Sequence, residues 1–291
     1  MKTITFFSEK GGVGKSSTSI MFASFLKYKY GVKVGLADFN NRITGYRNSE
    51  INNRNRIIRM RPELNLQPYD EKSAWPIVAI KFQEVNEYKR NGSQMPFVNW
   101  FEDEITKGRL AGNDVVICDF PGSLSGGEFL QLNSVRDLSL TVIPTERDEM
   151  TLQSTIKLHN AIKDYNHCVF INKAQLGLKN FRSAYHKLAQ KLVENGMPVL
   201  PDMVSYTERM MTIDKVDIIR STFGFPDFDA PEFGKAKDLG IENLFIDVLR
   251  ELKKAPDLKG TSPADLSFVD NLQKKDDGRQ FKGSAFPQYE I

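Results

Sequence analysis

Phe7-Ser8-Glu9-Lys10-Gly11-Gly12-Val13-Gly14-Lys15-Ser16-Ser17 sits between a short apolar run, Thr3–Ser8, and a stretch of helical periodicity, Ser16–Tyr30. A loop that wraps a triphosphate must turn its backbone N–H groups inward, which calls for glycines. It must also end at a helix N-terminus, whose partial positive charge favours anions. In this reading Lys15 reaches the β- and γ-phosphates and the Ser16 hydroxyl ligates Mg²⁺. Gly11, Gly12, Val13, Gly14 and Ser17 complete the cradle through their backbone. A dinucleotide loop, G-x-G-x-x-G, would need a third glycine where Ser17 stands and would not need Lys15-Ser16. The strict G-x-x-x-x-G-K-[ST] pattern fails as well, because Glu9 stands at its first glycine.

Outward from the loop the chain alternates. Thr3–Ser8, Val32–Ala37, Val115–Phe120, Leu138–Ile143 and Cys168–Asn172 read as buried strands: short, β-branched or aromatic, and flanked by turn residues. Ser16–Tyr30, Glu149–Tyr165 and Leu178–Asn195 carry apolar residues three and four apart and read as helices. This alternation predicts an α/β fold, a mostly parallel, doubly wound sheet with helices on both faces. Residues 1–254 are expected to form one domain, interrupted by an insertion at 42–114 of poor periodicity apart from a helix at Phe97–Lys107. After a last helix, Ile241–Lys254, the polar tail 255–291 reads as a partly disordered appendage. Only Pro263–Leu272 in it is predicted as a short helix, capped by Ser262.

At 291 residues, 40% hydrophobic and 26% charged, the chain falls in the ordinary globular range. No uncharged run exceeds eleven residues, too short for a spanning helix of about 20, and no secretory h-region follows Met1-Lys2. Cys118 and Cys168 each sit in an apolar run and fit no metal-ligand spacing, so they read as reduced core thiols. The expectation is a cytoplasmic protein without stable membrane insertion.

Lys10-Gly11-Gly12-Val13-Gly14-Lys15-Ser16 resembles the deviant Walker A loop of the ParA/MinD family of P-loop ATPases, in which an extra lysine precedes paired glycines. The resemblance implies a P-loop NTPase fold and an ATP-bridged homodimer. In it the early lysine, here Lys10, crosses the interface to the partner's nucleotide phosphates. Val34–Phe39, ending in Asp38, looks like the family's second strand with its switch I carboxylate. Val115–Asp119 is an apolar strand ending in a carboxylate placed to hold the Mg²⁺ shell, and the N–H of Gly122 in the following Phe120-Pro121-Gly122 can face the γ-phosphate. A guanine pocket would read Asn-Lys-x-Asp after a strand, whereas Asn172-Lys173-Ala174 is followed by Gln175. The family pattern instead has Asn172 contact adenine and the Pro201-Asp202 loop close over the ring, so ATP with Mg²⁺ is the expected cofactor pair.

Two departures bear on function. The family's switch I usually reads Asp-x-Asp, with the second carboxylate positioning or activating the attacking water; here it reads Asp38-Phe39-Asn40. An amide orients water but cannot take its proton, which predicts slow or partner-stimulated ATP hydrolysis unless Asp38 itself serves. Residues 42–61 hold six arginines (Arg42, Arg47, Arg54, Arg56, Arg59, Arg61) against the single acid Glu50, while the whole chain is only +3. Such a stretch binds DNA phosphates, with Arg54, Arg56, Arg59 and Arg61 the candidate contacts, or is a solvated arm paired with nearby acids.

The leading expectation is therefore an ATPase switch for partition, positioning or transfer of DNA or a large assembly, working with an adaptor or DNA-binding partner protein. The alternative is an ATP-binding scaffold that scarcely hydrolyses. A membrane-positioning role would need a basic amphipathic tail helix, and Pro263–Leu272 is short and carries Asp265 and Asp270. Tyr206 and Arg209 are further candidates to face a ligand or partner.

Overall fold

The computed structural model describes residues 1–80, 103–105, 107–122, 129, 138–174, 179–204, 221–226 and 240–274. In chain order the elements are β1 (Lys2–Phe6), α1 (Lys15–Ser24) running into a π-helical turn (Phe25–Lys29), β2 (Val34–Asp38) and α2 (Arg42–Met60). There follow β3 (Ile77–Ala79), β4 (Val115–Asp119), β5 (Leu140–Thr145), α3 (Glu149–Ile162), β6 (His167–Ile171), α4 (Lys179–Glu194) and α5 (Ile241–Lys254). The predicted helix at Phe97–Lys107 falls largely outside the described residues; so do Gln175, Tyr206, Arg209 and the tail beyond residue 274.

The six strands form a parallel sheet in the order β3-β2-β4-β1-β5-β6. Its strands are apolar on both faces, as a sheet covered twice requires. Ile4, Phe6, Ile117, Val142 and Phe170 face one core, closed by Phe22 of α1, Phe25 of the π-helical turn, and Phe245 and Leu249 of α5. Val116, Cys118, Ile143, Val169 and Ile171 face the other, closed by Leu152, Leu158 and Ile162 of α3 and Leu188 and Leu192 of α4. The strand ends move by no more than two residues from the sequence expectation. Both cysteines are buried free thiols, and burial pushes each thiol pKa up.

The segment 42–114 differs from expectation. Residues 42–60 are a 19-residue helix, and Ile77–Ala79 adds an edge strand beside β2. α2 escaped apolar patterning because its inward stripe is Ile43, Arg47 and Glu50, spaced four and three apart but mostly charged. Arg47 lies over the Trp75 ring at 4.4 Å and donates to Thr222 Oγ1 at 3.2 Å, while Glu50 accepts from the Thr222 N–H at 3.0 Å. Burial pulls the Arg47 pKa down to about 10. Arg47 thus leaves the surface patch it was counted in.

The tail also differs. Residues 255–274, expected as an appendage, pack on the body: Leu266 and Val269 are buried and join the α1–α5 core, and the Leu258 N–H donates to the Met1 carbonyl at 2.9 Å. The short helix is a 3-10 turn at Ser267–Asn271. Lys274 donates to Asp202 Oδ2 at 2.7 Å and to Asp247 of α5 at 2.6 Å.

A candidate nucleotide site at the strand ends

Three site-bearing strands finish the same way. Phe7, Phe39 and Phe120 directly follow β1, β2 and β4 and pack together: Phe39 stacks on Phe120 at 4.5 Å and Phe7 meets Phe120 edge-on at 6.4 Å. Pairs of this kind contribute about 0.5–1.5 kcal/mol beyond area burial. They fix the phosphate loop, Asp38 and Asp119 relative to one another, and register alignment places Asp38 directly beside Asp119.

The loop itself is braced from behind. Gly14 has φ 93°, and a Cβ there would lie 2.6 Å from Asn172 Nδ2, so only glycine fits. Asn172 donates to the Val13 carbonyl at 2.7 Å and accepts from the Lys173 N–H at 2.9 Å. Lys173 Nζ donates to the Gly12 carbonyl at 2.6 Å and pairs with Glu146 at 2.7 Å. The Asn172 side chain is thus committed to holding the loop. Asp202 is turned elsewhere, fully buried against Lys274 and α5, so its carboxylate is occupied there; Pro201 stands beside it.

Inside the loop, Lys15 Nζ donates to the carbonyls of Ser8 at 2.9 Å and Lys10 at 2.7 Å. Burial lowers its pKa to about 8, with Asp119 opposing and Arg42 adding to the fall. A Cβ on Gly122 would come within 2.9 Å of this ammonium, so the Asp119-Phe120-Pro121-Gly122 turn closes directly over it. Ser16 Oγ donates to Asp119 Oδ2 at 2.8 Å and Ser19 Oγ reaches Oδ1 at 3.5 Å. Burial raises the Asp119 pKa to about 7; the Ser16 hydrogen bond opposes the rise and the neighbouring Asp38 charge adds to it. A fully buried carboxylate beside a second one, with a hydroxyl at hydrogen-bond distance, is a donor set suited to a hard divalent cation. Ser16 and Asp119 therefore fit Mg²⁺.

Asp38 is otherwise employed. Its Oδ1 accepts from the Asn40 N–H at 3.1 Å and its Oδ2 from the N–H and hydroxyl of Thr44, both at 2.8 Å, so it caps the start of α2. That leaves little room for it to act as a base. Asn40 lines a cavity of about 510 Å³ whose wall runs from Gly11 and Lys15 across Asn40 and Arg42 to Gly122. Arg42 carries no signal in the loop motif and was visible beforehand only as one charge in a patch.

Lys10 lies at the rim, its ammonium 2.6 Å from Asp148 Oδ2. Asp148 also caps α3 by accepting from the Thr151 N–H at 2.9 Å. A small burial penalty on Asp148 is outweighed by hydrogen bonds from Lys10 and Thr151, which hold its carboxyl down to about 2. Of the candidate DNA contacts, Arg56 and Arg59 on α2 and Arg61 just past its end are exposed, while Arg54 leans on Tyr69 at 5.4 Å and donates to the Gln67 carbonyl. Beside them Ile57, Met60 and Leu64 are exposed apolar side chains. Among the described residues no helix is long and apolar enough to cross a membrane.

Residues 4–217 match the family model described as the CobQ/CobB/MinD/ParA nucleotide binding domain. No curated protein matches the chain. Among solved structures, the ATP complex of a McdA variant from Cyanothece is 16% identical, covers 87% of this chain and 96% of that one, and superposes with a TM-score of 0.57. A plasmid partition protein of Borrelia burgdorferi bound to AMPPNP gives 17%, 87%, 98% and 0.55. The MinC:MinD cell division complex of Aquifex aeolicus gives 16%, 86%, 96% and 0.53. At these identities the likeness concerns the fold.

Proposed function

The chain belongs to the CobQ/CobB/MinD/ParA nucleotide-binding family, and on that premise we propose that it is an ATP-dependent switch whose triphosphate form pairs two copies. The observation that carries this reading is the state of Lys10. Among the described residues its ammonium is restrained by one ion pair, in which the two side chains are 34% and 40% exposed. Such a pair is worth about 0–1 kcal/mol, so a nearby triphosphate competes with it readily. Lys15 and the loop N–H groups bind one nucleotide, and Lys10 is free to reach the nucleotide of a second copy. Mg²⁺, held at Ser16 and Asp119, would neutralise phosphate charge. Asn40 orients water toward the γ-phosphorus; the proton that water loses goes to a phosphate oxygen or to bulk solvent, since Asp38 is engaged by Asn40 and Thr44.

Hydrolysis is therefore slow. Phosphate release by the isolated protein is expected to run below about one turnover per second, under the roughly 1–100 s⁻¹ of kinases. Turnover of several per second would remove the argument from Asn40. No detectable turnover, with or without DNA or partner, would favour the scaffold reading.

The exposed end of α2 supports a role in binding DNA or a large assembly. Arg56, Arg59 and Arg61 carry three charges on one tip, and each phosphate contact contributes about −0.9 to the slope of log affinity against log salt. Replacing all three with glutamate is expected to abolish binding to non-specific duplex DNA in a salt titration. A wild-type affinity that ignores salt, or binding retained by the triple variant, excludes this tip as the DNA contact. The exposed Ile57, Met60 and Leu64 favour a second reading, an adaptor protein docked at the same place.

A further inference from the structure

Arg42 is a cation at the first residue of α2, with no acidic residue in that first turn. A positive side chain there opposes the helix dipole and is locally unfavourable. The carboxylate nearest in sequence, Asp38, spends its oxygens on Asn40 and Thr44. Among the described residues Arg42 forms no hydrogen bond or ion pair, and its charge instead acts against that of Lys15. It nevertheless lines the same cavity as Gly11, Lys15 and Ser16, two residues beyond Asn40 in the chain. A locally disfavoured, uncommitted charge on the wall of a phosphate cavity is accounted for by an anion that occupies the cavity.

We infer that Arg42 contacts the γ-phosphate of the bound nucleoside triphosphate, making the start of α2 the element that distinguishes triphosphate from diphosphate. The inference rests on the nucleotide-switch reading above and deepens it. Its chemistry follows from the charges around the cavity. Replacing the second switch carboxylate by Asn40 removes one negative charge from the cavity, and Arg42 adds a positive one, so the site favours a tetraanion over a trianion. The planar guanidinium offers paired donors matched to phosphate oxygens, which a lysine at the same place lacks. α2 is in turn anchored through Arg47 and Glu50 to Thr222, so a pull on Arg42 acts on a helix held at its middle, with Arg56 and Arg59 exposed beyond that anchor.

The test is calorimetric titration of the full chain with Mg²⁺-ATPγS and with Mg²⁺-ADP, for the unaltered protein, Arg42→Ala and Arg42→Lys, beside Lys15→Ala. One lost charge-assisted contact predicts that Arg42→Ala binds ATPγS about 10- to 100-fold more weakly while ADP affinity stays within about twofold. Arg42→Lys should fall between. Because the residue is exposed and opposed by the dipole, the ligand-free melting temperature of Arg42→Ala should equal or exceed that of the parent, which a structural role would not give. An unchanged ATPγS-to-ADP ratio in Arg42→Ala, with both nucleotides lost in Lys15→Ala, overturns this inference alone. An unaltered protein that binds neither nucleotide overturns it together with the reading beneath it.

Discussion

Lys15→Ala is expected to weaken the binding of ATP and of ADP about 100- to 1000-fold while leaving the chain folded. The Lys15 ammonium is buried, and two carbonyls of its own loop, Ser8 and Lys10, hold it at 2.9 and 2.7 Å. Those two bonds hold it within the loop, and the Gly122 turn lies against it, a Cβ there falling 2.9 Å from the ammonium. Hydrogen bonds to charged groups contribute about 1.5–3 kcal/mol each, and an ammonium that bridges two phosphates makes at least two. Burial already lowers the Lys15 pKa to about 8, so part of its charge is recovered only when an anion arrives. Arginine should not rescue the loss, because a fork-shaped guanidinium cannot occupy a pocket sized for a point charge. The measurement is titration calorimetry of each nucleotide in Mg²⁺; affinity within tenfold of the parent would mean that the phosphates lie elsewhere.

Lys274→Met is expected to cost about 3–5 kcal/mol of stability, the range found when one partner of a buried ionic group is removed. Asp202 is fully buried and Asp247 nearly so, and the Lys274 ammonium bonds to both. Without it two carboxylates share a site whose remaining described counter-charge is the half-exposed Arg250, 3.7 Å from Asp247. Burial holds the Asp247 carboxyl above the usual carboxylate range, with Lys274 opposing the rise and Asp202 adding to it. A carboxyl raised in the folded state binds a proton that the unfolded chain has released, so its contribution worsens as pH climbs from the ordinary carboxylate pKa through the raised one. Removing Lys274 lifts that pKa further. Urea unfolding should therefore show a deficit that is larger at pH 8 than at pH 5. A deficit under about 1 kcal/mol at both would show that residues 255–274 are not bound to the body through this contact.

What the sequence made legible was local. The glycines, Lys15 and Ser16 announce their chemistry within eight residues, and the β-branched runs announce strands because burial on both faces requires it. The position of Asp119 at the end of β4 was legible because a strand-end residue needs only its own strand to be placed. The elements that escaped depend on distant partners. α2 turns inward a stripe of Arg47 and Glu50 that makes sense only against Trp75 and against Thr222, the latter more than 170 residues away. β3 is three residues long and exists by pairing with β2. The packed tail is fastened by Lys274 to carboxylates 72 and 27 residues back. The same limit governed the site: the Pro201-Asp202 motif was visible, but the direction of the Asp202 carboxylate is set by α5 and the tail. Lys10 could be picked out by its place ahead of the paired glycines; its present partner, Asp148, could not.

The account stands on the pairing of two chains through nucleotide. Static light scattering of the protein with Mg²⁺-ADP, of the protein with Mg²⁺-ATP, and of Lys10→Ala with Mg²⁺-ATP tests this directly. The predicted masses are one chain, two chains and one chain. The same mass in all three samples would contradict it.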